Sequence, residues 1–109
     1  MLVKINTRGL TLTEELLTRC DAKVRVALGL YLDMIVSVDI TLIDSALQTQ
    51  HKRVLCIARL ESQHHALISV QDVGVDIDDV IDACMHRVKR VLSRRVNPIH
   101  YGGHSPSSF

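Results

Sequence analysis

The chain has 109 residues, of which 47% are hydrophobic, with a formal net charge of +1, three cysteines and no tryptophan. That length suits one domain with one modest core, and the near-neutral sum excludes a bulk electrostatic case for a polyanionic partner, so any such case rests on where the charges sit. No run approaches the roughly 18 apolar residues that cross a bilayer, and MLVKINTRGL lacks the apolar stretch of a secretory signal, which together predict a cytoplasmic protein with no membrane span.

Taken in chain order, LVKIN alternates apolar and polar residues at period two and is bounded by TRG, which predicts a short first strand. Thr13 stands where an N-cap is expected, and Glu14 and Glu15 follow where the positive end of a helix dipole favours carboxylates. In the helix so begun, Leu16, Leu17, Cys20, Val24, Leu28 and Tyr31 form one apolar stripe, with Arg19, Lys23 and Arg25 off its centre and Gly29 weakening its end. MIVSVDITLID alternates again, which places Val36, Val38, Ile40 and Leu42 on one face of a half-buried strand and Ser37, Asp39 and Thr41 on the other. SALQTQ is a connecting turn. HKRVLCIARLES sets Val54, Cys56, Ala58 and Leu60 opposite Leu55, Ile57 and Arg59, and both faces are apolar enough to leave the register open. QHH then leads into ALISVQDV, a strand ending near Gly74, so the three later strands read as an antiparallel meander.

The last element is VDIDDVIDACMHRVKRVLSRR, which begins acidic and ends basic. Asp76 can cap it with Asp79 three residues on, and Ile77, Val80, Ile81, Cys84, Val88, Val91 and Leu92 follow helical spacing. Beyond it, Pro98 and a Gly/Ser/Pro-rich end predict a flexible C-terminal tail over residues 96–109. The sum over residues 1–95 is a single α+β domain of order β-α-β-β-β-α, with two helices on one face of a four-stranded sheet.

Chemistry is sparse. Cys20, Cys56 and Cys84 are far apart among apolar neighbours, which suits reduced core thiols better than a disulfide framework. His64 and His65 are adjacent in a turn, and His100 and His104 bracket YGG after a proline, so neither pair has the helical placement that chelation needs, and neither a metal nor any other cofactor is expected. Asp76, Asp78, Asp79 and Asp82 are accounted for by capping and the helix dipole. There is no GxSxG, no phosphate-cradling glycine loop and no Cys/His pair in a nucleophile's setting, so no catalytic residues and no enzyme are expected.

The charge distribution is more informative. Residues 83–109 contain no Asp or Glu, while Arg87, Lys89, Arg90, Arg94 and Arg95 fall within them. Arg87, Arg90 and Arg94, at i, i+3 and i+7, line one flank of the helix at about 5 Å per turn, a spacing that suits the phosphates of a nucleic-acid backbone. The same residues also serve as cations that offset the helix dipole at a solvated C-terminus, and the acidic start fits that account equally well. Lys23 and Arg25 extend the row if the two helices lie side by side.

These residues together resemble a known family. The run Ile5, Asn6, Thr7, Arg8, Gly9, Leu10, Thr11, Leu12, Thr13, Glu14, Glu15, Leu16 is similar to the opening of the ribosome hibernation-promoting factors, the ribosome-associated inhibitors also called sigma-54 modulation proteins. Lys23 and Tyr31 then stand near that family's first-helix lysine and aromatic, and Asp76-Ile77, Val80-Ile81-Asp82, Arg87-Val88, Arg90 and Leu92 are similar to its second helix. Asp78 stands where the family usually has tyrosine. The resemblance implies a fold related to double-stranded RNA-binding domains and binding to small-subunit ribosomal RNA in the channel used by messenger and transfer RNA, which suppresses translation in stressed or resting cells. It assigns RNA contact to Lys23, Arg25, Arg87, Lys89, Arg90, Arg94 and Arg95, and the chain looks like the short form, without the domain that pairs ribosomes. DNA and membrane partners are not expected. The alternative is a protein-interaction or homodimerising module of the same fold with weak or no rRNA binding, using the apolar face around Leu55 and Ile57.

Overall fold

In the computed structural model, which describes residues 1–44, 53–63 and 67–96, the first strand, β1, spans Leu2–Arg8 and the first helix, α1, spans Glu14–Ala27. Thr13 caps α1 as expected, its side-chain oxygen accepting from the Leu16 amide at 3.1 Å. The helix stops at Ala27, short of Tyr31, which helical spacing places on its stripe, and a single 3-10 turn over Gly29–Tyr31 carries the chain into β2, Ile35–Asp44. Strands β3 (Val54–Ser62) and β4 (Ile68–Gly74) follow, and α2 spans Ile77–Val96.

The sheet order is β1-β2-β3-β4. β1 runs parallel to β2, from Leu2 beside Ser37 to Arg8 beside Ile43, a pairing that needs the α1 crossover; β2, β3 and β4 form the antiparallel meander. The expected β-α-β-β-β-α order with both helices on one face is therefore the order observed. SALQTQ, His64 and His65 of QHH, and residues 97–109 lie outside the described residues, whereas Val96, expected to begin the tail, is the last residue of α2.

Register shows why one face is the core. Val3, Val38, Leu60 and Ile68 align across the sheet, as do Ile5, Ile40, Ala58 and Val70, and on β2, β3 and β4 these positions are buried beneath the helices. α1 contributes Cys20, Val24 and Leu28, and α2 contributes Val80, Ile81, Cys84, Met85, Val88 and Leu92. Each fully buried aliphatic side chain of this kind is worth about 1.5–3 kcal/mol of transfer free energy, and no polar or charged side chain is buried among the described residues to offset it. The three cysteines are buried free thiols, and burial pushes the Cys20 thiol upward.

Two expectations need correction. Val36 is 45% exposed while Ile35 is 3% exposed, because the β2–β3 register shifts between Ile35 and Ser37 and moves Val36 off the core face. Leu17, placed on the α1 stripe, is 43% exposed, since the apolar stripe is narrow and centred on Cys20 and Val24.

At its other end the chain reverses tightly from β4 into α2. A Cβ at Gly74 would lie 3.2 Å from the Val80 Cβ, so this close approach favours a residue with no side chain. α2 then runs back along β4, over β3 and β4, with α1 on the β1 side of the same face.

Candidate nucleic-acid interface

α2 begins with the Asp76 carboxylate accepting from the Asp79 amide at 3.1 Å, with Asp78 and Asp79 in its first turn and Arg94 and Arg95 in its last. Its buried stripe separates two flanks of different character.

One flank meets α1. Arg19 donates from Nε to Asp78 Oδ1 at 2.9 Å and from Nη2 to Asp78 Oδ2 at 2.8 Å. One turn further along both helices, Lys23 Nζ donates to both Asp82 oxygens at 2.9 Å and lies 3.9 Å from Asp78. The pairs advance together, so the helices run in the same direction and their charges interlock along the seam. The hydrogen bonds from Arg19 hold the Asp78 carboxyl below the ordinary carboxylate range, and those to Asp82 raise the Lys23 ammonium above the usual lysine value. Lys89, seven residues beyond Asp82, shares this flank by helical periodicity.

The other flank faces the free edge of the sheet. Arg87, Arg90, Val91 and Arg94 line a cleft of about 450 Å³ whose opposite wall is Ser69, Val70 and Gln71 of β4. Arg87 Nε lies 3.2 Å from Asp72 Oδ2 at the base of this flank. Arg90 and Arg94 are exposed and have no carboxylate partner among the described residues. Two guanidiniums without a carboxylate partner, about one turn apart and beside a third held by Asp72, have the donor geometry that can form charge-assisted hydrogen bonds to successive phosphates.

The seven cations singled out in the sequence therefore do not form one patch. Arg87, Arg90 and Arg94 converge in the cleft. Lys23 is in the seam, Lys89 is on the seam side of α2, and Arg95 is exposed on the last turn. Arg25 makes a local pair with Asp21 at 2.8 Å, on the flank of α1 away from α2. Arg19 and Asp72 were not among the expected site residues, yet Arg19 anchors the seam and Asp72 holds Arg87. The signal for the seam was the matched spacing of 19 and 23 with 78 and 82, which becomes legible only once the helices are known to be parallel neighbours.

His86 is exposed on α2; the paired histidines 64/65 and 100/104 lie outside the described residues. Among the described residues no three His, Cys, Asp or Glu side chains gather in a way that could hold a metal ion.

No family model and no curated protein matches the chain. Solved structures do. A ribosomal subunit interface protein from Coxiella burnetii is 18% identical, superimposes with a TM-score of 0.74, and is matched over 87% of this chain and 97% of that one. The N-terminal domain of Thermus thermophilus Protein Y is likewise 18% identical, with a TM-score of 0.71 over 86% of this chain and 98% of that one. At that identity the shared property is the fold.

Proposed function

We propose that this chain is a non-enzymatic, cytoplasmic, ribosome-associated factor. It binds small-subunit ribosomal RNA in the messenger and transfer RNA channel and suppresses translation in stressed or resting cells. The observation that carries the reading is the arginine row of α2, lining an open cleft on a fold shared with a ribosomal subunit interface protein. The sequence resemblance of the Ile5–Leu16 run and of α2 supports it independently of the fold. Mechanistically, Arg87, Arg90 and Arg94 bind backbone phosphates without reading bases, so the position of the domain on the ribosome comes from the shape of the RNA and inhibition comes from occlusion. Binding of this kind releases counterions and weakens steeply with salt.

Order of addition tests the occlusion. Small subunits incubated first with the chain should lose most of their capacity to take up messenger RNA and initiator transfer RNA. Full uptake of both with the chain still bound would overturn the channel assignment.

A second reading has its own observation. On the helix-free face, Ile43, Leu55 and Val73 align across three strands beside the partly exposed Ile57, and Val73 is 48% exposed. This apolar strip suits a protein partner or a second copy, and it becomes the leading reading if ribosome binding fails.

A further inference from the structure

On the helix pair, the seam cations Arg19 and Lys23 are held by carboxylates, whereas Arg90 and Arg94 in the cleft and Lys89 on the seam side of α2 have no carboxylate partner among the described residues. Arg19 and Lys23 have partly exposed side chains, at 44% and 27%, so solvent reaches them. Each is nevertheless engaged by a carboxylate of the same molecule, Arg19 through a two-bond fork to Asp78 and Lys23 through both oxygens of Asp82. A phosphate approaching the seam meets two carboxylates within 3 Å of the cations it would need, and must displace ligands that the fold holds in place. In the cleft on the opposite flank, by contrast, Arg90 and Arg94 meet no such competitor among the described residues.

We infer that Asp78 and Asp82 are specificity-determining clamps that withhold the α1 cations Arg19 and Lys23 from RNA and leave phosphate contact to the cations of α2. The inference rests on the RNA-binding reading and adds to it a limit on both the footprint and the affinity. Relieving the clamps adds two phosphate contacts to the interface, and the change appears in the salt dependence of binding rather than in the fold.

The test uses the full chain and a single-stranded polyuridine RNA of about 20 nucleotides, with affinity measured by fluorescence anisotropy across a potassium chloride series. Asp78→Asn/Asp82→Asn keeps side-chain size and removes both charges. Asp33→Asn/Asp79→Asn raises the net charge equally and is the control, because neither residue makes an ion pair among the described residues. Each phosphate contact on a single strand contributes about 0.7 to the slope of log affinity against log salt, so the clamp variant should steepen that slope by about 1.4 and bind several-fold tighter at low salt. The control should keep the wild-type slope. A clamp variant whose slope matches wild type, or whose gain is equalled by the control, overturns the inference.

If the double variant fails to fold, Asp82→Asn alone leaves the Arg19–Asp78 fork intact and Lys23 still 3.9 Å from Asp78, and should steepen the slope by up to about half as much. Should wild type fail to bind this RNA, pelleting with small subunits decides the ribosome reading, and elution from immobilised heparin decides the inference separately. Later elution of the clamp variant than of the control supports the clamps, and co-elution of the two overturns them.

Discussion

At the residue scale the seam makes the domain sensitive to acid in a defined direction. Asp78 ionises more readily in the folded chain than in the unfolded one because Arg19 hydrogen-bonds its carboxylate. A depressed folded-state value means that the pair contributes its stability above the ordinary aspartate value of about 3.9, and that the contribution disappears as pH falls through the lower folded value. Lys23 has the opposite sign. Its raised value gives a contribution present below about 10.4 and lost as pH climbs beyond it. Both groups are solvent-accessible, so screening keeps each contribution small. The melting temperature of wild type should therefore fall slightly more between pH 5 and 2 than that of Asp78→Asn; parallel curves would show that the fork contributes nothing. The sequence shows each of these charges but not their pairing, because partners 59 positions apart meet only after two helices dock.

Helix starts, at the element scale, were the most legible part of the chain because they depend on local chemistry. Thr13 and Asp76 each satisfy an amide three residues on, a contact set by residue type and spacing alone. Thr13→Ala should cost about 1 kcal/mol, read as a lower urea midpoint at unchanged slope, while Thr13→Ser restores most of it; an unshifted alanine variant would show that α1 is held by packing alone. Strand faces were less legible. Val36 fits the alternation of β2 perfectly well, and only its register against β3 reveals the irregularity that exposes it. The arginine row lies between these cases: periodicity places Arg87, Arg90 and Arg94 on one flank, but that this flank faces β4 and not α1 depends on which strand α2 covers. Asp72 makes Arg87 a poor position for charge reversal, since a glutamate there would confront another carboxylate.

At the scale of the whole molecule, β-α-β-β-β-α was readable because two helical stripes and four runs of alternation left one economical arrangement, two helices shielding one face of the sheet. The parallel pairing of β1 with β2 and the opposite orientation of the basic sets were not readable, as both follow from docking rather than from local sequence. The resulting domain presents three unlike surfaces: a neutralised helix seam, a cationic cleft at the β4 edge, and a partly apolar outer sheet face. Of these, the cleft is the surface proposed to meet the ribosome. Co-sedimentation with separated ribosomal subunits, at low and moderate salt, for wild type and for Arg90→Glu/Arg94→Glu, tests this most directly. The account predicts that wild type pellets with the small subunit alone, that moderate salt releases it, and that the charge-reversed chain stays in the supernatant at both salts. Equal pelleting of the two chains would contradict the cleft, and no pelleting of wild type at either salt would contradict the ribosome as partner.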